Sequence, residues 1–589
     1  MRRVSLPQLF SAAAPLALLV AGPLAAADGP GTMGPVDDAA PEAAYSADAA
    51  DAGGDGGSAG SSDGSSSYAA DAEEHRMAMM ADLPPETPAD IAQLAQGGAP
   101  VTALTDALRL AYWTSPAVLA QRSAVKSTDY SVTQARANFG PKLDYQLTDA
   151  YQRDSLEPQR CAPGTPSIFC PAPGTRSTER KGFSTSASAV LTQPLFTFGR
   201  NFAAERFSIA QRNFQAQVLR STETQALFEA ISSYVGLLRD RAAVAIASDN
   251  LEILATQQSD TQSRFKVREV TATDVQQVIT RAELARAQLF AAQRDAASSE
   301  AAFAQKVGAP AGTLAAPNPL DLPVRTLEEA YAYAEANSPV LQAAHYRELV
   351  SRAAMVQAKA DLMPRVDFQG TALYGSQSPY NNASRIKEQR GEVIISGPIY
   401  ESGLRQAKVS EAKAANDADW RLLDGAVRDN RAALAAAWND WKAQEAATER
   451  LALSVESAQS ALDGARLQQR AGLITTLDVL ELARDLLNVR SSYNNSIASA
   501  YISQARVLAL MGALEPRWLL PDDPRYNPQV HFDKVKNKGQ IPLFTPLMRA
   551  LDGLSVGPAD RRALRDPGTQ VETPAVKPSV SAEVVAKTQ

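Results

Sequence analysis

The stretch VREVTATDVQQ (Val267 to Gln277) recurs in outline as AGLITTLDVLE (Ala471 to Glu481), 204 residues later, with T-x-x-D-V kept in both copies. A threonine followed three residues on by an aspartate is the pattern of a helix start. The hydroxyl caps free N–H groups of the first turn, and the acid suits the positive end of the helix dipole. Thr271 with Asp274, and Thr475 with Asp478, therefore each predict a helix N-terminus reached by a turn. A repeated turn implies that what it joins is repeated too.

The duplication extends well beyond the turns. TDALRLAYWTSPAVLAQ, from Thr105, lines up with TLEEAYAYAEANSPVLQ, from Thr326, placing Ser115-Pro116 over Ser338-Pro339 and Pro141 over Pro364 at an offset of 223, with the two threonines two residues out of step. LTQPLFTFGR (Leu191 to Arg200) matches ISGPIYESGL (Ile395 to Leu404) at an offset of 204, with Pro194 over Pro398 and Gly199 over Gly403. The 19-residue difference falls between Asp144 and Pro194, so the first copy carries a longer surface loop there. That loop holds the only two cysteines, Cys161 and Cys170, in a Pro/Gly-rich context. In an exported chain a disulfide between them is the favoured reading, with paired free thiols the alternative.

Within each copy the periodicity changes type in the same order. Residues 101–139 show apolar positions at three- and four-residue spacing, predicting a helix that Gly140-Pro141 stops. Alternation follows, with Leu143, Tyr145, Leu147 and Tyr151 against Lys142, Asp144, Gln146 and Thr148, predicting a strand with one apolar face. GFSTSASAVLTQPLF returns as its partner, and the second copy repeats the pair with Val366, Phe368, Ala372 and Tyr374, then a weaker strand near Val393 to Ile399. Each strand is expected to have roughly the 9–11 residues of a tilted membrane strand.

Proline-free stretches from about 200 to 267 and 403 to 470 predict helices of about 100 Å at 1.5 Å per residue. Half-length helices are predicted at 101–139 and 271–307, and again at 326–362 and 475–512. Two half-length helices end to end match one long one, an arrangement suited to closely packed coiled-coil neighbours.

Composition sets the class. The chain has 589 residues, 45% of them apolar, and a net charge of −7. The first 27 residues read as a secretory signal, with Arg2 and Arg3, an apolar core from Leu9 to Ala21, and Ala25-Ala26-Ala27. No cysteine follows that core, so no lipoprotein anchor is expected, and no later run is long enough for a spanning helix. Fourteen acidic residues between Asp28 and Asp90 face one basic residue, Arg76, in an Ala/Gly/Ser-rich stretch read as a disordered tail. No basic surface for nucleic acid is present. No P-loop or histidine metal motif appears, and GGSAG (Gly56 to Gly60) lies in low complexity with no strand before it, so neither an enzyme nor a cofactor is indicated.

Membrane crossing would then rest on strands. Four strands per chain cannot close a barrel, since membrane barrels begin at 8, so two, three or four chains would have to contribute. The order helix, Pro stop, hairpin, QPLF or GPIY with a following glycine, long helix, RFKVREVTATDVQQ, and a half helix ending VGAP is followed by the same again with LQQRAGLITTLDVLELARDLL and LMGAL. Over residues 101–514 this resembles the TolC family of outer-membrane efflux and secretion channels, with its type I protein secretion branch nearest and the multidrug channels next.

The resemblance implies an α+β fold, an outer-membrane β-barrel of twelve strands in a homotrimer continued by a coiled-coil α-helical barrel across the periplasm. The implied partners are a periplasmic adaptor (membrane-fusion) protein, an inner-membrane ABC or proton-driven transporter, and outer-membrane lipid. The organisation reads as signal peptide 1–27, acidic tail 28–100, first repeat 101–309, linker 310–325, second repeat 326–514, an irregular equatorial segment 515–551, and a disordered tail 552–589.

By the same resemblance the two turns form the periplasmic entrance. Asp478 and Glu481 match pore-narrowing acids, and Arg268, Thr271, Asp274, Gly472 and Thr475 mark adaptor-contacting turns. Arg268 stands where the family usually has glycine, and Ile474 and Gln469 stand where an arginine and a tyrosine support the closed entrance. A structural coiled-coil protein is the rival reading, though it has no need of hairpins matched at Pro141 and Pro364.

Overall fold

The computed structural model describes residues 87–97, 100–156, 178–521, 523–542 and 544–556. Its first repeat runs α2 (Leu104–Thr114), α3 (Pro116–Ala137), β1 (Lys142–Leu156), β2 (Thr178–Phe196), α4 (Arg200–Lys266) and α5 (Ala272–Val307), preceded by α1 (Ala89–Gly97). The second runs α6 (Leu327–Asn337), α7 (Pro339–Ala360), β3 (Arg365–Ser378), β4 (Asn381–Ser396), α8 (Leu404–Arg470) and α9 (Thr476–Met511). A C-terminal strap follows with α10 (Pro516–Leu519), α11 (Pro528–Val535) and α12 (Phe544–Leu554).

The helices of the two repeats agree residue for residue in length. α4 and α8 have 67 residues each, α5 and α9 have 36 each, α2 and α6 have 11, and α3 and α7 have 22. The expected single helices over 101–139 and 326–362 are each broken in two. Ser115 and Ser338 are extended, with ψ of 123° and 119°, because the ring of the following proline disfavours α geometry at the residue before it. Around these breaks lies the largest core cluster, with Trp113, Leu227, Tyr234, Phe303, Leu434 and Met511 fully buried.

The strands form one antiparallel sheet in the order β1-β2-β3-β4. They are 15, 19, 14 and 16 residues long, beyond the expected 9–11, so they extend past a tilted bilayer crossing. The register places the predicted apolar positions on one face: Leu147 opposite Ala187, Ala187 opposite Tyr374, and Phe368 opposite Val393. Leu143, Tyr145 and Leu147 are each more than 70% exposed, which suits lipid and would be unfavourable in water. The Phe368 ring lies over Gly370 and Gly391 on the same face, covering backbone those glycines leave bare.

β1 and β4 are edges with one side unpaired. The helical packing follows the sheet, since α4 packs against both α3 and α7, and α8 against α7; nearer the tip, α4 packs against α5 and α9.

Two boundaries move. The tail reading of 28–100 overreaches, because Ala89–Gly97 is helical, Ile91 is fully buried, and Asp90 pairs with Arg109 at 3.0 Å. The tail reading of 552–589 likewise starts too early, since Asp552 and Val556 are buried. The signal segment and both cysteines lie outside the described residues.

The strap is fixed to the first repeat largely by polar contacts. Arg109 grips Asp523 through two bonds of 2.6 Å, Asp129 takes both Arg212 at 3.0 Å and His531 at 2.8 Å, and Tyr526 N–H donates to the Tyr112 hydroxyl. Beneath Tyr526, buried Arg122 lies within 4.6 to 4.9 Å of the Tyr112, Trp113 and Tyr526 rings and 3.3 Å from Glu223. Burial outweighs the attraction of Arg122 and pushes the Glu223 carboxyl up to about 7 from an ordinary 4.5.

A carboxyl raised on folding stabilises the fold fully below its unfolded value, and that contribution is lost as pH rises through the folded one. Wild-type thermal stability in detergent is therefore expected to fall between pH 5 and 8 through this group, by at most about 3 kcal/mol. Glu223→Gln should flatten that slope, and an unchanged slope would remove Glu223 as its source.

Candidate functional site

Both T-x-x-D turns lie at the end of the helical section away from the sheet, where each long helix reverses into its shorter partner. Backbone bonding there is the same in both copies. Arg268 N–H donates to the Phe265 carbonyl and Glu269 N–H to that of Arg264. Gly472 and Leu473 do likewise to Gln469 and Gln468. This pairing closes a helix C-terminus through one left-handed residue. That residue is Arg268 in the first turn, at φ 65°, and Gly472 in the second, at φ 76°.

The capping boxes predicted from sequence are formed. Asp274 N–H donates to the Thr271 hydroxyl oxygen at 3.2 Å, while Asp274 Oδ2 accepts from Thr271 N–H at 2.9 Å and from its hydroxyl at 2.8 Å. Thr475 and Asp478 repeat this at 3.3, 2.8 and 2.7 Å. The Thr475 hydroxyl, then its N–H, hold the Asp478 carboxyl below the usual aspartate range, so it stays charged at neutral pH.

Asp478 and Glu481 are both exposed, on the side of α9 opposite buried Val479, Leu480 and Ala483. They leave the packed seam of the chain and face open space. Arg268, Thr271, Gly472 and Thr475 are exposed and Asp274 is half-buried. Around them the turns differ in chemistry. Both present apolar side chains to solvent, Phe265 and Val267 in the first and Leu467, Leu473 and Leu477 in the second, and the first adds an ion pair between Arg264 and Glu269 at 3.1 Å.

Gln469 and Ile474 turn inward. Gln257 of α4 donates its amide to Gln469 Oε1 at 3.1 Å, and the Gln469 amide donates to the Thr476 hydroxyl at 3.2 Å, with all three residues buried. Ile474 packs against a buried cluster of Leu462, Ala465, Val479, Ala483 and Leu486 that Ile253 of α4 also borders, and Leu480 belongs to a second cluster with Leu254, Val278 and Ala282. Arg490 of α9 adds a 2.7 Å bond to Gln459 of α8 and lies 3.6 Å from Asp249 of α4. The two helical hairpins are thus joined at their tips by a neutral amide chain inside an apolar seam. Sequence reading missed Gln257 and Arg490, because a polar residue on a long helix of mixed composition gives no sign of which side it faces.

The family model described as outer membrane efflux protein matches residues 107–309 and 330–513, well over half of the chain. The chain belongs to that family. It is 26% identical over 445 residues to the outer membrane efflux protein BepC of Brucella suis biovar 1 (strain 1330), covering 74% of this chain and 91% of BepC. To the alkaline protease secretion protein AprF of Pseudomonas aeruginosa it is 24% identical over 342 residues, 55% of this chain and 69% of AprF.

Among solved structures, the CmeC outer membrane channel of Campylobacter jejuni superposes with a TM-score of 0.61 at 13% identity, covering 74% of this chain and 89% of CmeC. The MtrE outer membrane channel of Neisseria gonorrhoeae, in its open state, gives 0.56 at 17%, covering 70% and 89%. These likenesses share one fold, a β-barrel continued by a helical barrel.

The protein is accordingly an outer-membrane channel extending into the periplasm, and not an enzyme. Channels of this family are trimers that work with periplasmic adaptors and inner-membrane transporters. Among the described residues no helix is long and apolar enough to cross a membrane.

The turns yield a direct test. A side chain in left-handed geometry costs roughly 1–2 kcal/mol that glycine avoids. A Cβ at Gly472 would meet nothing within 4 Å, so backbone geometry alone decides the effect of Gly472→Ala. Hydrogen exchange at the second turn should speed up in Gly472→Ala, and exchange at the first should slow in Arg268→Gly.

Proposed function

We propose that the duplicated tip is the periplasmic entrance of the exit duct in a tripartite export system, with Asp478 and Glu481 as its constriction. The carrying observation is their placement beside a cap that fixes the helix start, on the side of α9 turned away from its packing partners. Repeated by three-fold symmetry, the pair supplies up to six carboxylates, a ring that favours cations and resists anions. Arg268, Thr271, Asp274, Gly472 and Thr475 form the surface an adaptor meets.

The cargo we favour is protein, by type I secretion with an ABC transporter and its adaptor. Likeness to AprF, whose name gives alkaline protease secretion, supports this. Export of small toxic compounds is the second reading, supported by likeness to BepC, named as an efflux protein. A deletion strain decides between them. Loss of a secreted protein with unchanged drug tolerance supports the first, and drug hypersensitivity with intact secretion supports the second.

The constriction is tested in planar bilayers. Asp478→Asn with Glu481→Gln is expected to lower cation selectivity and to relieve block by divalent or trivalent cations added on the periplasmic side, by about ten-fold or more in blocking concentration. Unchanged selectivity and block would place the constriction elsewhere.

A further inference from the structure

The strap ascends the helical section toward the sheet. Its contacts climb α3 in order, with His531 on Asp129, the Val535 carbonyl on the Thr133 hydroxyl, and the Lys536 carbonyl on Arg136. It then reaches the turn that follows β2. There Asp552 of α12 accepts from Thr197 N–H at 2.8 Å, Gly199 N–H at 3.0 Å and Phe202 N–H at 3.2 Å.

α12 is an inverted amphipathic helix. The side it packs on the protein is polar: Thr545 and Asp552 are buried, and Arg549 pairs at 2.6 Å with Glu205, which also takes Arg136 at 2.8 Å. The opposite side presents Leu547, Leu551 and Leu554, which are 54%, 40% and 67% exposed. At 100° per residue these three lie within about 60° of one another. Placed in water, this orientation wastes the apolar side of the helix and buries charge, so the exposed side requires an apolar cover.

Position identifies that cover. The lipid-facing side of the sheet continues down to Ile395, 73% exposed and opposite Val366, and Val366 in turn pairs with Phe196, the last residue of β2. Asp552 grips the very next residue, Thr197. α12 therefore sits directly below the lowest row of lipid-facing side chains, at the level where the bilayer meets the periplasm. Lys534 and Lys538, exposed just before α12, suit phospholipid headgroups.

We propose that α12 is an interfacial helix whose Leu547, Leu551 and Leu554 dip into the periplasmic leaflet of the outer membrane, mooring the C-terminal strap to lipid. The Arg549–Glu205 ion pair and the hydrogen bonds to Asp552 orient the helix, and the leucines meet acyl chains near the headgroups.

The test uses the full-length trimer in phosphatidylethanolamine/phosphatidylglycerol nanodiscs. Leu547→Cys, Leu551→Cys and Leu554→Cys are labelled one at a time with an environment-sensitive fluorophore, and the wild-type chain taken through the same labelling is the blank. Tyr145→Cys on the barrel is the lipid reference, and Arg428→Cys on α8, with a side chain 77% exposed, is the water reference. All three leucine positions are expected to emit to the blue of the water reference and to be quenched at least about two-fold more by shallow spin-labelled lipid than that reference is. Water-like emission with full iodide quenching would overturn the proposal, since the side would be wet. Protection from both iodide and lipid quenchers would also overturn it, since protein would then be the cover.

Discussion

Backbone groups in lipid must find their partners within protein, and a sheet with two open edges does not meet that condition. β1 and β4 leave one side of 15- and 16-residue strands unpaired. Much of the remaining architecture follows from closing that sheet with further copies. The chain order α3-α4-α7-α8 tracks the strand order, so a closed barrel imposes a closed ring of helices beneath it. The helices need no continuous apolar surface of their own to meet the membrane, because the strands alone cross it. Their small and polar residues can then be devoted to packing one another along a tube.

The sequence made the repeating frame legible because the features that build it are local. A proline stop, an alternation of period two, and a Thr capping its own third residue each act over a few positions. The helix ends at the tip and the lipid-facing side of β1 could therefore be read from the residues themselves. The Ser115 and Ser338 breaks were less visible, since Ser-Pro at a helix start and Ser-Pro inside a helix look alike until ψ is known. Contacts between distant segments left no mark at all. Gln257 meets Gln469 across 212 positions, and nothing near either residue reveals the other. The position 204 residues before Gln469 is Phe265, 45% exposed while Gln469 is buried, so even the duplication misleads at that point.

The two ends of the helical section share a second trait. The non-glycine residues with positive φ, among the described residues, are Phe198 and Ser402 at the sheet junctions and Arg268 at the first tip turn. Outside glycine, left-handed geometry appears, among the described residues, where strand must become helix or where helix must reverse. At one junction Asp552 supplies the compensating bonds through three N–H groups. At the first tip turn the Arg264 to Glu269 ion pair joins the residues that flank the reversal. Strain is thus confined to the ends, and the long helices between them remain regular.

The equality of helix lengths in the two repeats has a historical consequence. Removing one residue from α4 turns everything beyond it by about 100° and shifts it by 1.5 Å against α5, α7 and α9 at once. No single deletion can be absorbed unless its neighbours and the sister repeat change in step. Length in this molecule is therefore inherited as a set, while the loop between β1 and β2 was free to lengthen in one copy alone. The tube behaves as a gauge that fixes a distance across the cell envelope, and its descendants can change their surfaces far more easily than their measure.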